Sequence, residues 1–260
     1  MANGYRFDGE DYKAHSKPQK DWGMAVIDSL QLKGDESIVD LGCGDGVLSA
    51  ELARRVPRGR VLGLDNSSSM IETARGNRAP NLDFRLQDLT HMDFNEEFDL
   101  AFSNAALHWI KDQDAFLLRL HRALKPGGCL RFNFAGDGNC PSIFRGMREA
   151  MSHPRFTSYF ASFEWPWHMP SVGDYEIKLR AAGFVDIKVW MQDADRVFEN
   201  AEEFSKFIVS MGLVPLLERV PEGRERAAFE KHAVTSILEH SHVDGGCFEV
   251  FRRINVKARK

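Results

Sequence analysis

From Ser37 to about Ala135 the chain alternates short apolar runs with stretches of helical period, and this alternation predicts βαβ units around a parallel sheet. SIVDL at 37–41, RVLGLD at 60–65, LDFRLQD at 82–88, FDLAFSN at 98–104 and CLRFNFA at 129–135 read as successive strands. Over 47–56, Leu48, Leu52 and Val56 share one helical face, and Pro57 with Gly59 then ends that helix and turns the chain. Further helices are predicted over 67–74 and 115–124. The latter stops at KPGG, 125–128, where proline cannot continue a helix and two glycines permit a tight turn.

After Gly136 the rhythm changes. Residues 140–152 are helical in pattern, and the aromatic-rich FTSYFASFEWPWHMP at 156–170 reads as a lid. Ser171 and Asp174 have capping-box-like spacing ahead of a helix that closes at Gly183, FVDIKVWMQ returns as a strand, and Asn200 with Glu203 starts another helix. Residues 201–242 are almost wholly helical in pattern, interrupted around Pro215 and at 221–223, and form a second cap segment. The last run, CFEVFRRINVKA at 247–258, is predicted to rejoin the sheet as its final strand. The expected organisation is α/β: an N-terminal cap segment over 1–35, then one domain over 36–260 with lid insertions at about 136–183 and 194–246.

Composition narrows this picture. With 260 residues, 43% hydrophobic and 28% charged, the chain can bury one large core without disulfides or metals. Lys and Arg number 34 against 38 Asp and Glu, and a net charge of −4 gives no general attraction to nucleic acid phosphates or anionic lipid. Neither nucleic acid nor membrane is expected as a partner. Cys43, Cys129, Cys140 and Cys247 are scattered without CxxC pairing, which suits a reducing compartment, and no metal is expected. The opening MANGYRFDGEDYKAHSK is polar and carries acids, whereas a signal peptide has a basic start and an apolar stretch behind it. A cytoplasmic location is expected; monomer and dimer both stay open.

The strongest chemical signal is DLGCGDG, Asp40 to Gly46, between a predicted strand and a predicted helix. Gly42, Gly44 and Gly46 let the backbone approach a ligand where side chains would block it. A dinucleotide fingerprint wants its third glycine at position 47, which is Val47 here, so nicotinamide binding is disfavoured. Asp65 ends the next strand, where a carboxylate can accept from both hydroxyls of a ribose. Asp88 ends the third, where an acid can accept from an adenine amine with Met70 and Leu89 as apolar neighbours. Asn66 follows Asp65, and Asn104 ends the fourth strand. A strand-end acid is also commonly just solvated.

DLGCGDG, LGLDNSSSM, QDL, FDLAFSNAALHW and LKPGG, in this order, resemble the successive motifs of class I S-adenosylmethionine-dependent methyltransferases over 39–128. SNAALHW, DGNCPSIFRGMREAM and the early tyrosine and glutamine of DYKAHSKPQ are similar to the trans-aconitate 2-methyltransferase-like group, and juvenile hormone acid methyltransferases share part of the pattern. The resemblance implies a Rossmann-like, seven-stranded, mostly parallel sheet with helices on both faces and a largely helical lid. It implies S-adenosyl-L-methionine as cofactor and S-adenosyl-L-homocysteine as product. It places Gly42, Gly44 and Gly46 against the methionine portion, Asp65 on ribose and Asp88 beside adenine, with Asp40 orienting the turn and bonding toward the methionine amine. Both groups esterify carboxylic acids, so a small carboxylic acid is the expected acceptor.

A carboxylate acceptor needs no catalytic base. For another small acceptor, a quinone or a natural-product oxygen, carbon or nitrogen, His108 is the candidate base; otherwise His108 and Trp109 line or cover the pocket. Trp165, Trp167 and His168 either pack the lid or touch the acceptor. Tyr12 and Gln19 are placed to close over the site. Arg145, Arg252 and Arg253 are candidates to hold an acidic acceptor, since guanidinium suits carboxylate, and Arg145 ranks first because its loop follows strand five. A cofactor-binding protein without transfer activity is the alternative from another class.

Overall fold

The computed structural model describes residues 16–260; Tyr12 lies outside the described residues. The five strands read from the sequence form β1 (Ser37–Leu41), β2 (Arg60–Asp65), β3 (Leu82–Leu86), β4 (Phe98–Asn104) and β5 (Leu124–Ala135), parallel to one another. β6 (Val185–Asp193) and β10 (Arg252–Arg259) complete a seven-stranded sheet in the order β3-β2-β1-β4-β5-β10-β6, with β10 antiparallel to both neighbours. Every residue of β1 is buried, as its uninterrupted SIVDL composition requires of a central parallel strand. Strand order reverses between β1 and β4, which opens a crevice at their carboxyl ends.

Helices cover both faces. On one, α1 (Lys17–Asp28) and α2 (Val47–Arg55) set Val26, Ile27 and Leu52 against Ile38, Leu100 and Phe102. On the other, α4 (Gln113–Ala123) and α6 (Val172–Ala181) bury Phe116, Leu120, Tyr175 and Leu179 against Val39, Phe132 and Ile254. α3 (Ser68–Ala74) follows β2 and starts at Ser67, whose hydroxyl accepts the Met70 N–H. Asp112 caps α4 and Ser171 caps α6 in the same manner. α6, inside the segment expected as an insertion over 136–183, packs in the main core. α1, inside the segment expected as an N-terminal cap, packs against α2, β4 and β5.

A second apolar cluster is built from α5 (Pro141–Ser152), the aromatic stretch 156–167, α7 (Ala201–Ile208), α8 (Val214–Leu217) and α9 (Arg224–Ser241). The interruption expected around Pro215 is a π turn over Val209–Leu213, after which Pro215 sits in the first turn of α8, where its missing N–H is tolerated. β7 (Arg196–Phe198), β8 (His242–Val243) and β9 (Gly246–Glu249) form a small antiparallel sheet, order β7-β9-β8, that the sequence pattern did not reveal.

The expected final strand over 247–258 is therefore two strands. The break falls after Glu249, which pairs with Arg196 at the end of β9 while its buried carboxylate accepts the N–H groups of Ile143 (2.9 Å) and Ser142 (3.4 Å) and so caps α5. Asp195 then accepts the Phe251 N–H and Asn139 the Arg252 N–H, redirecting the chain into β10. Within the second cluster α5 packs closely on α9, where a Cβ added at Gly146 would lie 2.5 Å from the Ile237 Cα. Gly146→Ala is expected to lose about 1–3 kcal/mol by overpacking. Thermal unfolding should register this as a fall of roughly 2–4 °C per kcal/mol; an unchanged midpoint would show that the two helices separate freely.

Candidate active site

The turn after β1 is fixed by backbone hydrogen bonds before any ligand is considered. The Leu64 carbonyl accepts the N–H groups of Gly42 (2.8 Å) and Cys43 (2.9 Å). The Asp65 carboxylate accepts the Gly44 N–H at 3.0 Å through one oxygen and the Ser67 N–H at 2.9 Å through the other. Gly42, Gly44 and Gly46 all have left-handed backbone, φ 75°, 54° and 77°. At Gly42 a Cβ would stand 2.2 Å from the Ala106 Cβ, because the loop after β4 passes directly over this turn. At Gly46 it would strike the Phe84 ring and Ala74, so that glycine answers to protein packing.

Over this turn lies a cavity of about 510 Å³. Gly42, Gly44, Asp65, Asn66, Met70, Asp88 and Leu89 line one end, with Asn104, His108 and Trp109 beside them from the β4 loop. Gln19 and Trp22 of α1 close one side. Ile143, Phe144 and Met147 of α5, Trp167, and Phe207 and Ile208 of α7 supply an apolar wall.

Several expected site residues lie elsewhere. Asp40 is buried behind the turn and accepts the Ser49 hydroxyl at 2.6 Å. Gly46 faces Phe84 as described. Trp165 stands behind Trp167 and against Phe144 without reaching the cavity. Arg145, ranked first for an acidic acceptor, is an exposed residue of α5 paired with Glu149 at 3.2 Å. Arg252 points away as well and pairs with Asp193.

Among the described residues Arg253 is the arginine that lines the cavity, and it is buried. Alternation along β10 separates it from Arg252, a period-two signal that was present in FRRIN but had no known register. Trp22, Asn139 and Cys140 also line the cavity and were not anticipated. Trp22 follows Gln19 by three residues, so extending the helical period of α1 would have found it. Cys140 has φ 53° at the start of α5, a loop conformation that nothing in its side chain announces.

Burial governs the electrostatics. It pushes the Asp40 carboxyl up to about 7 against the lowering hydrogen bond from Ser49, with Asp65 and Asp45 adding repulsion. Burial also raises Asp65, opposed by the N–H groups of Ser67, Gly44 and Asn66. At Asp88 burial is outweighed by hydrogen bonds from the Thr90 side chain and backbone and by His91, and its carboxyl lies below the usual range. His108 is driven down to about 3, by burial first and by the Arg253 charge second, so its imidazole is neutral at physiological pH. Gln19 Oε1, Asn104 Oδ1 and His108 Nδ1 are buried without a hydrogen-bond partner among the described residues. Buried polar atoms are nearly always satisfied, so three orphans on residues of one cavity point to a polar ligand.

Residues 38–128 match the methyltransferase domain family. A trans-aconitate 2-methyltransferase of Deinococcus radiodurans is 32% identical over 195 residues, 74% of each chain. The chain belongs to the class I S-adenosylmethionine-dependent methyltransferases, in the trans-aconitate 2-methyltransferase-like group. A malonyl-[acyl-carrier protein] O-methyltransferase of Legionella pneumophila is 34% identical over 157 residues, 58% of this chain and 54% of that one. The fold is shared with a solved methyltransferase of Bacillus halodurans at TM-score 0.61 and 18% identity, covering 92% of this chain and 98% of that one.

The cofactor of this methyltransferase is S-adenosylmethionine, and the cavity fits it. Two carboxylates, Asp65 and Asp88, line the end formed by the glycine turn, a third, Asp40, lies buried behind it, and two orphaned amide oxygens suit the donors of an ammonium group. Asp40 lies behind the turn, so a cation bound in front of the turn favours its ionised form through space, and the proton held below about pH 7 is partly released as the ligand binds. Calorimetric affinity for S-adenosylmethionine is accordingly expected to rise with pH up to about 7 and to level off above it. Asp40→Asn, which keeps an acceptor for Ser49, should flatten that dependence; the same slope in the variant would remove Asp40 as its source.

Proposed function

We propose that this methyltransferase transfers a methyl group to a carboxylate oxygen of a small acid, giving the methyl ester and S-adenosylhomocysteine. One observation carries the reading: the cavity presents the buried guanidinium of Arg253 together with a histidine that burial leaves neutral and weakly basic. A guanidinium pairs with a carboxylate, and a carboxylate needs no base to attack. The relatives named for trans-aconitate and for O-methylation of malonyl-[acyl-carrier protein] support an acid as acceptor.

When bound, the cofactor supplies a methyl on cationic sulfur, open to in-line displacement. The protein's share is positioning and exclusion of water. In this reading Gly42 and Gly44 let backbone lie against the methionine portion. Gln19 Oε1 and Asn104 Oδ1 accept from its ammonium group. Asp65, already holding two N–H groups, keeps lone pairs for the ribose hydroxyls, and Asp88 with Leu89 and Met70 borders the adenine. Asn66 lines the same end. The turn over Leu107–Trp109 that carries His108 is held by buried Gln113, whose amide donates to the carbonyls of Leu107 and Ile110 at 2.8 Å each. The His108 carbonyl accepts the His168 N–H at 2.7 Å, tying the β4 loop to the aromatic stretch.

Base catalysis by His108 is the competing reading, and a general base contributes about 10²–10⁴-fold. His108→Gln is expected to cost less than tenfold in single-turnover ester formation with cofactor still bound. A loss of a hundredfold or more would install His108 as the base. Asp65→Ala is expected to weaken S-adenosylmethionine binding at least tenfold in calorimetry. Retained affinity with a lowered melting temperature would instead leave Asp65 as a staple of the turn alone.

A further inference from the structure

The charges around the cavity are unevenly placed. Asp65 and Asp88 line the end formed by the glycine turn, and Lys111 pairs with Glu164 while remaining exposed. Arg253 is the one buried cationic residue lining the cavity among the described residues. Its position is fixed: Nε and Nη2 donate to Asn133 Oδ1 at 2.9 and 2.7 Å, and Nη2 also reaches the Asn133 carbonyl at 3.2 Å. Asn133 is itself held, donating to Asn255 Oδ1 at 3.1 Å, and the Arg253 guanidinium lies 4.4 Å from the centre of the Trp22 ring. An arginine braced in this way cannot follow a second or third carboxylate around a ligand.

The face built by α5, Trp167 and α7 is apolar. Phe144 stands edge-on to Trp167 at 5.3 Å, and Trp167 lies 5.3 Å from Trp109. Ile143, Met147 and Phe207 continue the surface. A carboxylate pressed against these side chains would lose its water with no partner in exchange, whereas a phenyl ring or short alkyl chain would gain by burial.

We infer that the acceptor is an acid with a single carboxylate, held by Arg253, on an apolar body that lies against Phe144 and Trp167, and that polycarboxylic acids are poor acceptors. This rests on the carboxylate reading given above and narrows it. It sets this chain apart from the tricarboxylate that the names of its relatives specify.

The test supplies the enzyme and S-adenosylmethionine with phenylacetate, hexanoate, citrate or trans-aconitate and reads S-adenosylhomocysteine and the methyl ester by mass spectrometry. Phenylacetate or hexanoate is expected to exceed trans-aconitate at least a hundredfold in kcat/KM. Arg253→Gln should raise the KM of the preferred acid at least tenfold while the Kd of S-adenosylmethionine stays within twofold, and Arg253→Lys should recover part of the loss. Phe144→Ala, which leaves the Arg253 bracing intact, should raise the KM of phenylacetate about tenfold. Preference for trans-aconitate, or an Arg253→Gln effect on cofactor Kd without one on acceptor KM, overturns the inference. Cofactor turnover with phenols or amines but with none of the acids would overturn the carboxylate reading beneath it, a distinguishable result.

Discussion

Two backbone N–H groups from different loops converge on one carboxylate, and the site is arranged around that junction. Asp65 ends β2, yet its oxygens hold Gly44 in the turn after β1 and Ser67 at the cap of α3. Leu64, one residue earlier, holds Gly42 and Cys43 by its carbonyl. Two adjacent residues of one strand thus set the path of the neighbouring strand's loop. That loop must stay thin, because Ala106 from the β4 side passes close above Gly42. Two strands flanking a switch point can crowd together this closely only where one of them supplies no Cβ.

The second layer of order comes from β5 and β10. Asn255 Oδ1 accepts from Arg131 and from Asn133, and Asn133 in turn receives Arg253. Inside a sheet such a chain is costly unless every member is satisfied, and when satisfied it fixes its members in one arrangement. The result is a cation whose position is determined by the antiparallel pairing of β10 with β5. Glu249, just before β10, does the same for the apolar wall by capping α5. The C-terminal strand therefore positions the Arg253 charge and, through the residue that precedes it, the wall facing that charge.

The sheet was legible because its signals are local. Strand runs such as SIVDL and RVLGLD carry burial in their own composition, and caps such as Ser171 with Asp174 need only three residues of context. Spacing alone puts the glycine turn and Asp65 at the ends of neighbouring strands, where the Gly44 N–H meets the Asp65 carboxylate. The acceptor half was not legible in this way. Choosing Arg253 over Arg145 requires the register of β10 against β5, a pairing across more than a hundred residues, and Arg145 was favoured only by nearness to a strand end. The split of the last strand was hidden for the same reason: the turn after Glu249 is set by Asp195 and Asn139, distant in sequence, which accept the Phe251 and Arg252 N–H groups. Glycine at 46 fitted the ligand-binding pattern yet serves Phe84, which shows that a motif can be read in the right place for a partly wrong cause.

The division of charge within the cavity bears on how a reaction of the proposed kind would end. Opposite unit charges about 4 Å apart contribute roughly 4 kcal/mol at an effective dielectric of about 20. Before transfer, Asp65 and Asp88 line the end that would hold the cationic cofactor, and Arg253 lines the part that would hold a carboxylate. After transfer, sulfur has lost its positive charge and the acid has become a neutral ester. Both ends of the cavity lose an attraction in one chemical step, and the neutral imidazole of His108 offers no replacement for either. The cavity is thereby suited to hold the reactants more tightly than the products, with no moving charged group needed to make the difference.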